Sequence, residues 1–369
     1  MKIKFILPQN TDIPVGGYKI VFQYANKLVE MGHSVSIDFV IDNNLEKLIK
    51  DKSLIRKLKS FITGYTGWNI LKNSVTWFEL NEKIEIKYNI FPKEIVVDSS
   101  TKVVGTAFWT AFVVESLNIP DENKFEFVQN YEDYGLDPKE FVDESFRTKV
   151  NKIVIARWLG DLTYELSGQK SDYVPNFIDM NDFFLTNSLS KRKHVVTLLN
   201  HEAETKRTKL GLKILARVKK EVPDLEVNLF GAYDPVEKLP DYVSFYKTPS
   251  LEFLREHIYN ESQVYLLPSV REGWVLTGME AMASGAVVVS SDIGGVRDYM
   301  YDKSNALLVE PDNLEDFVTA VVELLKNDSQ REKFAVEAQK TIATLSIDDS
   351  VKKLITALEF PAAYKNSHV

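Results

Sequence analysis

The chain opens on a short run, Ile3–Leu7, apolar but for Lys4, which stops at Pro8. After a loop through Gly16-Gly17, apolar residues recur at helical spacing over Tyr18–Met31. The first run reads as a buried strand and the second as an amphipathic helix. Gly32-His33 supplies a stop and a turn, and Ser34–Val40 reads as the next strand. Strand, loop, helix, strand in that order predicts a parallel sheet with right-handed crossovers. Short apolar runs at Ile95–Val97, Val103–Thr106, Phe125–Gln129 and Ile153–Ile155 carry the alternation to about residue 170, which makes one lobe.

A second series starts at Val195–Leu199. It continues with a helix over about Thr208–Lys220, then Glu226–Phe230 closed by Gly231, and then Val264–Leu267, Ala286–Ser290 and Leu307–Val309. This predicts a second parallel sheet. The stretch Asp172–Phe184 mixes polar residues with proline and asparagine and suits a connection between lobes. The expected domains are therefore 1–172 and 173–349. Residues 350–369 have helical periodicity at Val351, Leu354, Ile355 and Leu358, which suits either a cap on the second lobe or a return to the first; we assign them to the first.

Composition narrows the chemistry. The 369 residues are 44 % hydrophobic and 27 % charged, an ordinary globular balance. There is no cysteine, so disulfides, thiolate zinc sites and a cysteine nucleophile are excluded, and a reducing compartment, the cytoplasm, is the simplest home. The five histidines, at 33, 194, 201, 257 and 368, show no metal-ligand spacing, and His33 reads as a turn residue. The net charge of −8 argues against a nucleic-acid partner. The apolar start is too short for a secretory h-region, and no run of 18 apolar residues suggests a spanning helix. One stretch departs from the general acidity: Leu45–Ile62 has six cationic and two acidic side chains, with apolar residues at helical spacing and Tyr65, Trp68, Trp77 and Phe78 soon after. A helix packed on the sheet with a solvated lysine face is the favoured reading, and peripheral contact with an anionic lipid surface is the other.

The segment Val264–Val289 is the most informative. It reads strand, loop, helix, glycine stop, strand, with Glu272-Gly273 in the loop and Glu280 eight residues on, in a helix from near Thr277 to before Gly285. Amides at a helix start favour an anion such as a diphosphate. The carboxylates on either side accept hydrogen bonds from hydroxyls, so the layout suits a nucleotide sugar. Against this stands a local explanation, since Thr277-Gly278-Met279-Glu280 matches a capping box.

The run PSVREGWVLTGMEAMASGAVVVSSDIGG resembles the nucleotide-sugar motif of glycosyltransferase family 4, with Glu272 and Glu280 matching its E-x7-E pair. Gly16-Gly17, VNKIVIARWLGD, VPNFID and LFGAYD agree in the same order, so the resemblance spans essentially the whole chain. It implies the α/β GT-B fold, with two Rossmann-like lobes whose parallel sheets face a central cleft. It also implies a donor site on the second lobe, an acceptor site on the first, and retention of anomeric configuration. By that resemblance Glu280 holds ribose hydroxyls and Glu272 the donor sugar. Gly273, Trp274, Thr277, Gly231, Gly16 and Gly17 belong to the donor side.

The family places an arginine and a lysine near the diphosphate after the first strand of the second lobe, and in Leu199–Lys209 that arginine is missing. Lys206 and Arg207 are the substitutes, acting with Glu272 on the leaving group, and Lys209 is a weaker third. Other departures are Trp274-Val275 where a small residue is common, Phe177 where a glycine is common, and no histidine in Gly105–Thr110. Thr106, Trp109 and Thr110 are left as lining residues there. The segment Phe127–Tyr134 resembles a Q-x-Y-E element of enzymes that build bacterial surface polysaccharides, which adds Gln129 and Tyr131 to the acceptor side. Gly294-Gly295 reads as a phosphate-side turn or a flexible one.

The expectation is a retaining transferase without a cofactor. It would take a nucleoside diphosphate sugar (UDP, GDP or dTDP, which the sequence does not distinguish) and a glycan or lipid-linked acceptor. With no D-x-D in the chain, no metal is expected. An epimerase or hydrolase on the same fold and a non-catalytic partner subunit are the alternatives, and the oligomeric state is not readable from these features.

Overall fold

The computed structural model describes residues 1–10, 14–41, 74–133 and 139–364. The chain divides into two compact units, Met1–Asn176 with Asp348–Val369, and Phe177–Ile347. The basic stretch 45–62, with Tyr65 and Trp68, lies outside the described residues.

The first unit holds a seven-stranded parallel sheet in the order β3-β2-β1-β4-β5-β6-β7. Its strands are β1 (Lys2–Pro8), β2 (Ser34–Val40), β3 (Glu85–Ile90), β4 (Thr101–Gly105), β5 (Lys124–Val128), β6 (Asn151–Val154) and β7 (Ser171–Tyr173). Six of the seven β1 residues are buried, as a central parallel strand covered on both faces requires. Helix α1 (Gly16–Glu30) buries Ile20, Val21, Tyr24, Ala25 and Leu28, and the chain turns away at Gly32 with φ +86°. Helices α2 (Phe108–Ser116), α3 (Lys139–Phe146) and α4 (Arg157–Ser167) follow β4, β5 and β6.

The second unit holds a six-stranded parallel sheet, β10-β9-β8-β11-β12-β13. The strands are β8 (Val195–Leu199), β9 (Glu226–Gly231), β10 (Val243–Lys247), β11 (Val264–Leu267), β12 (Val287–Ser291) and β13 (Ala306–Val309). Helices α5 (Thr208–Glu221), α6 (Leu276–Ala283), α7 (Leu314–Lys326) and α8 (Asp328–Ala343) complete it. Val196, Leu198, Leu215, Leu229, Leu266, Val289 and Phe317 form part of one continuous core. The last helix, α9 (Ile347–Glu359), lies against the first unit: Ser350 Oγ donates to the Pro175 carbonyl at 2.8 Å, and Asp348 pairs with Lys27 at 2.7 Å.

Two local expectations differ from the structure. Ile95–Val97 is irregular, following a 3₁₀ turn at Pro92–Glu94, with Val96 72 % exposed; the strand at this edge is β3 instead. Residues 171–173 form edge strand β7, and Val174 N–H also bonds the Val154 carbonyl, so Tyr173–Asn176 stay with the first unit rather than opening the second. Trp77 and Phe78 pack on Phe22 of α1, each at 5.5 Å between ring centroids, so both rings take part in packing within the unit. Among the described residues no helix is long and apolar enough to cross a membrane.

Each sheet reverses its strand order once, between β1 and β4 and between β8 and β11. Connections leave such a point in opposite directions and open a crevice beyond the carboxyl ends of the strands, where ligands of doubly wound sheets bind.

Candidate functional site

In the second unit the reversal places two loops side by side, one after β8 and one after β11. Val270 N–H donates to the Thr205 carbonyl at 2.9 Å and joins them. Lys206 ends a 3₁₀ turn, Glu204–Lys206, and its Nζ lies 2.8 and 2.7 Å from the two carboxylate oxygens of Glu272. Glu272 is buried and Lys206 partly exposed. Gly295 seats this carboxylate's backbone: a Cβ there would fall 2.3 Å from the Glu272 carbonyl oxygen. That close approach is the requirement for glycine at 295.

Arg207 separates from its neighbour. Its backbone is left-handed (φ +52°), and its guanidinium turns to the Pro311 carbonyl at 2.9 Å and to Asp312 at 2.7 Å. The structure thus brings Lys206, but not Arg207, to Glu272. Lys209 is exposed in the first turn of α5.

Glu280 sits on α6, where its carboxylate accepts the Tyr259 hydroxyl at 3.0 Å. Tyr259 ends a π-helical turn, Leu254–Tyr259. The N-cap of α6 is Val275, without a side-chain cap, so Thr277 and Glu280 stand inside the helix and the capping-box explanation does not hold. Thr277 Oγ1 instead accepts the Tyr265 hydroxyl at 2.9 Å, and Tyr299 donates to the Val275 carbonyl at 2.7 Å. Burial first, and the charge of Glu280 among others, hold the Tyr259, Tyr265 and Tyr299 phenols well above their ordinary value, so all three remain donors.

Trp274, expected at the donor, is turned inward. It is buried, donates to Met279 Sδ and stacks on Tyr299 at 5.1 Å. Gly273 is buried beside it. Gly231 ends β9 so close to Asn200 that a Cβ would meet the Asn200 carbonyl oxygen at 2.1 Å.

Gly16 and Gly17 belong to the first unit, at the start of α1. There Gly17 faces the Gln129 amide, where a Cβ would sit 3.2 Å from Nε2, and Gln129 lies 3.4 Å from the Thr106 carbonyl. Thr106 donates to the Ile6 carbonyl at 3.1 Å, bridging β1 and β4. These three gather at the sheet's reversal. Trp109 is buried in α2, and the Tyr131 hydroxyl bonds Asp143 at 2.8 Å. Glu132, overlooked as a site residue though inside the quoted segment, accepts the Phe108 N–H at 2.8 Å. Desolvation, reinforced by the charge of Glu126, pushes it up to about 8. Among the described residues no three or more His, Asp or Glu side chains could hold a metal ion.

Residues 192–327 match the family model described as Glycosyl transferases group 1. The chain is 22 % identical over 351 residues to a poly(glycerol-phosphate) alpha-glucosyltransferase of Bacillus subtilis, covering 85 % of this chain and 50 % of that protein. It is 32 % identical over 98 residues to a D-inositol 3-phosphate glycosyltransferase of Corynebacterium urealyticum, covering 27 % and 23 % respectively. The chain thus spans half the length or less of these curated relatives. Among solved structures it resembles a TarM mutant of S. aureus in complex with Fondaparinux, alpha-GlcNAc-glycerol and UDP (TM-score 0.71, 14 % identity, covering 97 % and 100 %). It also resembles HepE of Anabaena with UDP and glucose (TM-score 0.66, 12 % identity, covering 96 % and 99 %). Two doubly wound parallel sheets and these likenesses identify the fold as GT-B.

Proposed function

We propose that this GT-B chain is a retaining glycosyltransferase of family 4 that moves a sugar from a UDP-sugar to a hydroxyl on a polyol-phosphate or glycan acceptor. The observation that carries the reading is the Lys206–Glu272 pair at the reversal of the second sheet, with Glu280 held eight residues on by Tyr259. A buried carboxylate needs a hydrogen-bonding or charged partner, and here Glu272 has Lys206 and Glu280 has Tyr259. Glu272 is the acceptor for sugar hydroxyls and Glu280 for ribose hydroxyls. Lys206, adjacent to the sugar end, neutralises charge as the glycosidic bond to the diphosphate breaks. The leaving diphosphate then takes the proton of the incoming hydroxyl on the same face, which keeps the anomeric configuration. No enzymic nucleophile and no metal ion is assigned.

UDP is chosen because similar structures, TarM, HepE and the pneumococcal O-GlcNAc transferase GtfA, are described with UDP. The polyol-phosphate acceptor follows from the name of the Bacillus subtilis relative and from the alpha-GlcNAc-glycerol held by TarM. On the first unit, Thr106 and Gln129 are the residues assigned to the acceptor side, with Gly17, a donor-side candidate, facing Gln129.

The test is turnover of UDP-glucose and UDP-N-acetylglucosamine with glycerol-phosphate polymers and soluble glycans, with NMR of the product's anomeric proton. An α-linked product supports the reading. A β-linked product overturns retention. Free sugar formed equally with and without acceptor favours a hydrolase, and no reaction despite tight nucleotide binding favours a partner subunit.

A further inference from the structure

At the amino ends of the second sheet's strands, the end away from the crevice, the segments that lead into β8, β11 and β12 meet around one buried cation. Arg192 stands three residues before β8 and is 7 % exposed. Its Nη1 donates to the Ser262 carbonyl at 2.6 Å and to the Tyr259 carbonyl at 3.3 Å. Its Nη2 donates to the Ser284 carbonyl at 2.6 Å, and at 3.3 Å to both the Asn187 carbonyl and Asn260 Oδ1. All of these acceptors are neutral oxygens. Burial, and then the charge of Arg331, lower the guanidinium to about 10, so it is still a cation at neutral pH. Carbonyls at the carboxyl end of a helical turn carry partial negative charge, and Tyr259 and Ser284 both occupy such an end.

Two of the acceptors belong to the elements that hold Glu280. Tyr259 offers its carbonyl to Arg192 and its hydroxyl to Glu280 at 3.0 Å. Ser284, the C-cap of α6, offers its carbonyl to Arg192, and its N–H bonds the Glu280 carbonyl at 3.1 Å. The bonds thus close a circuit through Arg192, Tyr259, Glu280 and Ser284. Gly285 leaves room for it: its φ is +85°, and a Cβ there would lie 3.1 Å from Arg192 Nη2. An apolar side chain would fill the same space without desolvating a charge. What the planar fork adds is a fixed separation between the two carbonyls, and with it the placement of α6 against the π-helical turn.

We propose that Arg192 is a positioning residue for the nucleotide site: by holding the Tyr259 and Ser284 carbonyls in one fork, it keeps the Tyr259 hydroxyl on Glu280. It touches no ligand and acts from the far end of the strands. The inference rests on the nucleotide-sugar reading, in which Glu280 receives ribose hydroxyls, and extends it to a residue outside the crevice.

Arg192→Lys keeps the charge and gives up the fork, since one ammonium does not reproduce two fixed pairs of N–H groups. The measurements are calorimetric Kd values of the full chain for UDP and 2′-deoxy-UDP, with melting temperatures, in the wild-type and Tyr259→Phe backgrounds. Arg192→Lys is expected to weaken UDP about threefold to tenfold, the range for one displaced hydrogen bond, and 2′-deoxy-UDP less. In the Tyr259→Phe background the same change should add less than about twofold, because the bond it acts through is already gone. Val321→Ala, in the core of the same unit, lowers the melting temperature and should leave UDP affinity within about twofold. If Arg192→Lys does not fold, Arg192→Gln, which keeps an N–H for one carbonyl and removes the buried charge, is read by the same criteria.

A variant that melts lower yet binds UDP like wild type overturns the proposal and leaves Arg192 a support of the fold. Equal losses in the two backgrounds overturn it as well, since Arg192 would then act independently of Tyr259. In both cases UDP binding by the wild-type chain leaves the nucleotide-sugar reading standing. A wild-type chain that binds no nucleoside diphosphate overturns that reading, and this role with it.

Discussion

Lys206 and Glu272, 66 positions apart in sequence, meet through both carboxylate oxygens of Glu272 at 2.8 and 2.7 Å, joining the loops that follow β8 and β11. Glu272 is almost fully buried, so without this cation its carboxylate would be buried and unpaired.

Removing only the cation should therefore cost more than removing both partners. Lys206→Met is expected to lower kcat by about 100-fold through lost stabilisation of the leaving group. It should also lower the melting temperature, because Glu272 is left buried and unpaired. The double variant Lys206→Met/Glu272→Gln should melt above the single one while remaining inactive. A double variant that melts below Lys206→Met would show that the pair does not set this cost.

Tyr259→Phe removes one hydroxyl from behind Glu280 and little else. UDP affinity should fall about threefold to tenfold, the range for a hydrogen bond to a charged group or somewhat less. The loss should be smaller for 2′-deoxy-UDP, since the task proposed for the carboxylate is a ribose hydroxyl. Competition calorimetry with the two nucleotides reads the difference, and equal losses would contradict the assignment.

Gly295→Ala places a Cβ 2.3 Å from the Glu272 carbonyl oxygen, a distance that only backbone movement relieves. The expected outcome is a melting temperature lower by roughly 5 °C or more, with loss of transfer. Unchanged activity would show that the position of Glu272 is not set by this approach.

Glu132 gives a pH dependence of stability with a definite sign. Its pKa rises on folding from 4.5 to about 8, chiefly by desolvation. The folded state therefore holds the proton more tightly than the unfolded state. The stabilisation is fully present below pH 4.5 and is lost as pH rises through about 8. Glu132→Gln cannot ionise and still offers an oxygen to Phe108 N–H. Thermal melts from pH 5 to 9 should show its profile flatter than that of wild type, with the largest gain at the alkaline end.

Strands β1, β8 and β11 are legible in the sequence because central parallel strands are largely apolar, broken here only by Lys2 and Lys4 in β1 and Thr197 in β8. Edge strands β3 and β10, EIKYNI and VSFYK, are half-buried and mix charged, polar and aromatic residues, so no run announces them. Among the site residues, Glu272 and Glu280 are legible from their spacing around one helix start. Which of two adjacent cations faces Glu272 is not, because that choice is made by a 3₁₀ turn and the left-handed backbone of Arg207. Tyr259 arrives from a π-helical turn with no motif of its own, and Gly295 shows its purpose only against a carbonyl 23 residues earlier. Adjacency to Gly273 says nothing of which way the Trp274 indole points, and in the structure it stacks on Tyr299.

The most direct test of the donor site is calorimetric titration of the full chain with UDP in EDTA, run beside Lys206→Met and Glu280→Ala. The account predicts one tight site that EDTA leaves unchanged and that both substitutions weaken about tenfold or more. Binding that disappears in EDTA, or that both variants retain in full, would contradict it.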